Sequence, residues 1–340
     1  MVNQLELFKK IEQEALNNAY IYICCGDGMD TMFFPKMVDV ARERIIACGI
    51  SEQNQVSIAT GIALQNKKVY CVMMNAFLIH RALDQLKMAC FADIDINFIG
   101  FSSNLVAMEG GYSHISVDDF AILKNTPNLS IYDPYTQEEL NFAIEQTFNT
   151  VSPVYISCVV NSKDTYYYKN RLMQNGFSKI YQGEGDLCLI SSGDAINSLN
   201  LDSFLQNLAN RIQMPSIYSC YQIQPFSEEQ FIKIIKNYKY LITFESRGEG
   251  ALYSTIAQII AKRGLKVKYY PIYLKNEKYN VVGYTEYVLS KYLRLNNALR
   301  EITRQFKHRS SLIIRKKYQI DSNLNVTVKH KFFGITVSVS

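Results

Sequence analysis

Residues 47–65 read ACGISEQNQVSIATGIALQ, and the chain on either side takes its meaning from them. Arg44-Ile45-Ile46-Ala47 is a short apolar strand, Gly49 breaks it, and from Glu52 onward Val56, Ala59, Ile62 and Ala63 recur at helical spacing. A strand, a tight turn and a small-residue helix in that order begin an α/β unit. Glu52 falls in the first helical turn. The helix macrodipole favours a carboxylate there, so the position fits a helix-start acid as well as a functional group.

The same alternation continues in both directions. Residues 4–18 form an amphipathic helix, and AYIYICC (19–25) is a buried-type strand ending in Gly26-Asp27-Gly28. Strands at 68–74, 94–101, 129–132 and 154–160 alternate with helices at 77–91, 118–124 and 136–148. The last of these helices opens on a capping box, Thr136 with Glu139. A glycine-bearing loop, MEGGYSH (108–114), follows the strand at 94–101. The pattern predicts a doubly wound domain over residues 1–160, with a mostly parallel sheet covered on both faces. Such sheets bind ligands beyond the carboxyl ends of their strands, where Glu52 and His114 both fall.

Residues 161–183 are polar and tyrosine-bearing and read as a linker. A second doubly wound domain is expected over 184–305, with a further capping box at Ser227 and Gln230. Residues 306–340 form a basic, β-like tail in which VTVKHKFFGITVSV (326–339) alternates around Gly334.

Composition removes several classes of function. The 340 residues are 48% hydrophobic and 20% charged, as in globular proteins. The longest mostly apolar run, 69–79, contains Asn75 and is too short to span a bilayer. The N-terminal residues carry acids and no signal core, so a cytoplasmic location is expected. Eight cysteines without a C-x-x-C pair, and only four histidines, argue against a zinc site. The net charge of +5 comes without a recognisable nucleic-acid reading module.

Six blocks recur in register: Gly49-Ile50-Ser51-Glu52-Gln53-Asn54, with Gly61-Ile62-Ala63-Leu64; Phe77 before Arg81-Ala82-Leu83-Asp84-Gln85; Gly111-Tyr112-Ser113-His114; Asp118 to Leu123; Pro127-Asn128; and Pro153-Val154-Tyr155-Ile156. Together they resemble the C-terminal half of the transketolase family, enzymes that use thiamine diphosphate. The resemblance implies a thiamin-diphosphate-binding fold followed by a transketolase C-terminal-like domain, and it covers most of the chain.

In that family the glutamate matching Glu52 hydrogen-bonds N1′ of the aminopyrimidine and so promotes loss of the proton at thiazolium C2. This is acid–base catalysis relayed through the cofactor, a contribution of roughly 10²- to 10⁴-fold. The resemblance places Phe77 against the pyrimidine ring and Met74 in the same apolar wall. It places His114 toward the substrate or cofactor-bound intermediate, and Asp27 near the cofactor or a subunit contact. A core aromatic and an exposed loop histidine are the plain alternatives for Phe77 and His114.

Gly26-Asp27-Gly28 with Asn54 imitates the family's Mg²⁺ and diphosphate motif, but Asn54 already belongs to the Glu52 block, so the match reads as chance. The chain is thus expected to hold no metal itself, and Mg²⁺ with the diphosphate is expected on a separate N-terminal-half subunit. Two copies of each chain would form a heterotetramer. Departures from the family pattern concern the substrate. Ser102 replaces a histidine, Ser157 an arginine used for sugar phosphates, Val160 a second cation, and Arg247 a histidine. An unusual sugar fits better than an ordinary sugar phosphate. The alternatives are the β subunit of a 2-oxoacid dehydrogenase or decarboxylase, and a noncatalytic scaffold subunit.

Overall fold

The computed structural model describes residues 4–158, 172–197, 199–275, 285–293, 295–307, 316–320, 326–332 and 335–339. The first sheet is built from the apolar runs of the N-terminal half: β1 (Ile21–Cys25), β2 (Ile45–Ala47), β3 (Lys68–Met74), β4 (Ile96–Phe101), β5 (Ser130–Tyr132) and β6 (Val154–Cys158). β4 and β6 are buried along their whole length, so they show no polar alternation. The helices between them are α1 (Gln4–Asn17), α2 (Met29–Phe33), α3 (Pro35–Val40), α4 (Glu52–Ala63), α5 (Asn75–His80), α6 (Leu83–Phe91), α7 (Asp119–Leu123) and α8 (Gln137–Asn149).

The second sheet contains β7 (Leu172–Gln174), β8 (Phe177–Tyr181), β9 (Leu187–Ser191), β10 (Ser216–Cys220), β12 (Tyr240–Phe244) and β13 (Lys268–Ile272). Its order is β13-β12-β9-β10-β8-β7, parallel except at the β8 and β7 edge. The remaining strand of this half, β11 (Gln222–Gln224), leaves it and pairs antiparallel with β5. The first sheet therefore runs β11-β5-β6-β4-β3-β1-β2. Around the second sheet lie α9 (Leu199–Arg211), α10 (Glu228–Ile235), α11 (Leu252–Arg263), α12 (Thr285–Tyr292) and α13 (Leu295–Lys307). Both units are α/β with mostly parallel sheets, as expected. β14 (Lys316–Ile320), β15 (Val326–Phe332) and β16 (Ile335–Val339) make the tail a three-stranded antiparallel sheet.

Two expectations change. Residues 172–181, read as part of a linker, are strands of the second sheet, because Phe177 and Ile180 bury their side chains there. Residues 161–171 of that linker, and Val160, lie outside the described residues. Thr136 and Glu139 do form the capping box, but Ser227 makes no side-chain cap, and Gln230 reaches Gln174 instead. The two halves also share a core: Phe98, Phe120 and Leu129 belong to the same apolar cluster as Phe177, Ile190, Phe231 and Ile256.

Candidate active site

In the first sheet β4, β3, β1 and β2 are neighbours, and each residue singled out in the sequence sits at a carboxyl end of one of them. Asp27 follows β1, Glu52 follows β2, Met74 ends β3 with Phe77 a turn beyond, and His114 lies in the loop after β4. Gly49 has φ +64°, which turns the chain from β2 into α4. Val56, Ala59 and Ala63 anchor that helix by burying one face, leaving Glu52 at its start only 8% exposed.

One oxygen of the Glu52 carboxylate accepts a hydrogen bond from Arg81 Nη1 at 2.8 Å. The same guanidinium lies over the Phe77 ring, 4.4 Å from its centroid. Phe77 in turn meets the His114 ring edge-on, with centroids 5.2 Å apart. Gly110 makes this loop fold possible, since a β-carbon there would stand 2.7 Å from the His114 ring, and Gly111 has φ +82°. The Ser113 hydroxyl holds His114 Nδ1 at 2.9 Å. The structure thus brings Glu52, Phe77 and His114 into one line through Arg81. Met74 packs with the cluster containing Phe34 and Phe101, and Asp27 is exposed in the turn between β1 and α2. Arg81 was visible as the head of the Arg81–Gln85 block, but nothing in its spacing showed that it would meet Glu52.

Beneath this line lies a buried polar network. Asn75, the first residue of α5, donates to Ser116 Oγ at 2.7 Å and to Asp119 at 3.1 Å, and accepts from the Tyr155 hydroxyl at 2.7 Å. Arg247, from the loop after β12, donates to Asp119 at 2.8 Å and to Asp133 at 2.7 Å. Its Nη2 also donates to Ser157 Oγ at 2.8 Å, and it stacks on Phe120 at 3.6 Å. Burial drives the Asp133 carboxyl upward against the pull of Arg247. The two departures at Ser157 and Arg247 are therefore one arrangement, a guanidinium contributed by the second half beside a serine on β6. With both Asp119 and Asp133 on it and 1% exposed, Arg247 is occupied in joining the halves.

A pocket of about 160 Å³ opens beside the line, walled by His80, Tyr112, Ile115, Val117, Asp118, Gly248 and Glu249. His80 Nε2 and Asp118 stand 2.9 Å apart. This bond raises the His80 pKa, and it holds Asp118 low although burial pushes Asp118 the other way. Among the described residues, no group of three His, Cys, Asp or Glu side chains stands together to hold a metal ion. No helix among them is long and apolar enough to cross a membrane.

A mostly parallel sheet with this cluster beyond its strands, followed by a second α/β unit, is the arrangement the sequence leads one to expect. Residues 10–164 match the profile of the transketolase pyrimidine-binding domain. One of the subunits of the apulose-4-phosphate transketolase of Actinobacillus succinogenes is 26% identical over 244 residues, 71% of this chain and 78% of that protein. The 6-deoxy-6-sulfo-D-fructose transketolase subunit SqwH of a Clostridium species is 23% identical over 255 residues, 73% of this chain and 77% of that one. A solved split gene transketolase, an inactive beta4 tetramer, has the same fold, with a TM-score of 0.72. The match covers 90% of this chain and 98% of that one at 17% identity. The chain is thus similar to the transketolase family, through the pyrimidine-binding domain over residues 10–164 and through relatives named as transketolase subunits over 71% and 73% of its length. That family depends on thiamine diphosphate.

Proposed function

We infer that this chain is the pyrimidine-binding subunit of a split, thiamine diphosphate-dependent transketolase that moves a two-carbon ketol unit on an unusual sugar. The observation that carries the reading is Glu52, a nearly buried carboxyl at the carboxyl edge of a parallel sheet, with the Phe77 ring within one side chain's reach. A carboxyl edge and a flat apolar face are the two contacts an aminopyrimidine needs, so the residues present fit that end of the cofactor. When bound, thiamine diphosphate supplies an acidic thiazolium C2–H and an electron sink. Glu52 holds a proton at the pyrimidine ring nitrogen, Phe77 supports the ring, and His114, oriented by Ser113 and seated against Gly110, faces the substrate. Met74 has a supporting place in the apolar wall, and Asp27 stands near the cofactor or a subunit contact.

The diphosphate and Mg²⁺ belong to a separate N-terminal-half subunit, paired with this chain in a heterotetramer. The Actinobacillus and Clostridium relatives are both named as subunits, which supports a two-chain enzyme. Their sugars, apulose 4-phosphate and 6-deoxy-6-sulfofructose, support an unusual substrate. The locked state of Arg247 supports the same reading, because the arginine beside Ser157 has no exposed surface to offer a phosphate. The test is Glu52→Gln in the assembled enzyme. Exchange of the C2 proton, followed by NMR in deuterated water, should slow by roughly 10²-fold or more while assembly stays intact. Unchanged exchange would return Glu52 to the role of a helix-start acid. Release of CO₂ from a 2-oxoacid would assign the chain to the dehydrogenase β subunits instead.

A further inference from the structure

Both contacts assigned above to an aminopyrimidine are already taken, and by one side chain. Arg81 donates to Glu52 at 2.8 Å and lies over Phe77 at 4.4 Å. A guanidinium is planar, carries N–H donors along its edge and stacks on aromatic faces. It therefore presents to this seat the same shape as the amidine-like edge of an aminopyrimidine. We propose that Arg81 is a placeholder that occupies the pyrimidine seat in the free subunit, keeps Glu52 paired and Phe77 covered, and must swing out before the cofactor enters.

The Arg81 side chain is 49% exposed and that of Glu52 10% exposed, so the arginine has solvent to move into and the carboxylate does not. Arg81 lies at the junction of α5 and α6, where its backbone is fixed by hydrogen bonding to Phe77 and only the side chain needs to rotate. The pairing also opposes the chemistry. The Glu52 oxygen that accepts from Arg81 is not open to the ring nitrogen while that bond is made. Displacement leaves the guanidinium in water and opens the Glu52 oxygen to the ring, with no covalent bond made or broken. Arg81 is in this sense a positioning residue, and the proposal rests on the Glu52 reading above.

The test uses the full chain alone and the probe 4-amino-5-hydroxymethyl-2-methylpyrimidine, with binding followed by NMR or calorimetry and folding checked by circular dichroism. Arg81→Gln should bind the probe about two- to fivefold more tightly than wild type at pH 8, the range expected when a partly exposed ion pair no longer competes. Arg81→Lys, which keeps the charge but loses the planar fork over Phe77, should fall between wild type and Arg81→Gln. In a Glu52→Gln background the gain from Arg81→Gln should be smaller, because only the cover over Phe77 is then removed. Equal or weaker binding by Arg81→Gln overturns the placeholder, as does binding by neither wild type nor Arg81→Gln. Probe binding that is indifferent to Glu52→Gln instead overturns the assignment of Glu52, so the two failures are distinguishable.

Discussion

Arg247 carries a single positive charge into a site with two buried carboxylates, Asp119 at 0% and Asp133 at 1% exposure. Replacing a buried ion pair with apolar groups can be harmless, but removing one partner strands the other charge in a low-dielectric interior. Arg247→Met should therefore destabilise the chain by about 3–5 kcal/mol, measured by urea unfolding with the slope checked for a change in the unfolded state. A loss below about 1 kcal/mol, the range of surface pairs, would mean that the network is solvated. At this scale Glu52 and His114 were legible because they follow strands within recognisable blocks. Arg247 was legible only as a departure. Its meeting with Ser157 spans 90 positions in the chain, and no local pattern reports such a contact.

Among the elements, the helix over 136–148 was readable to within a residue, because Thr136 and Glu139 satisfy orphan backbone donors at its start. Glu139 does more than its spacing showed. It also accepts from the Tyr135 N–H at 2.7 Å and from Ser219 Oγ of the second half at 3.2 Å. Thr136→Ala should cost about 1 kcal/mol by thermal or urea unfolding, the usual loss of a cap. Glu139→Ala should cost more, because it also leaves the buried Ser219 hydroxyl unpaired. Similar costs for the two would show that Glu139 acts as a cap alone. The hairpin of β7 and β8 was missed because it follows a polar, tyrosine-rich stretch and its three-residue first strand is too short for a periodic signal. β11 was missed for another reason. It is three residues long and belongs to the first sheet, although the chain around it builds the second.

For the whole molecule, the halves are interlocked through β11, through Arg247 and through a common apolar cluster, so the seam beside the candidate site is held in place from both sides. That rigidity completes one wall of the candidate site. The free chain should accordingly bind intact thiamine diphosphate with Mg²⁺ poorly, and calorimetry with and without the co-purifying partner checks this. Tight binding by the chain alone would sink the two-chain reading. The order of most strands and helices, the two α/β units, and the placing of Glu52, Phe77 and His114 just beyond strand ends were determined by the sequence. These features follow from periodicity and turn chemistry acting over a few residues. Tertiary structure alone decided that Arg81 sits in the seat between Glu52 and Phe77, and that Arg247 fills the space beside Ser157. Such meetings depend on which strands become neighbours and how far each loop reaches, and side-chain spacing along the chain carries no record of either.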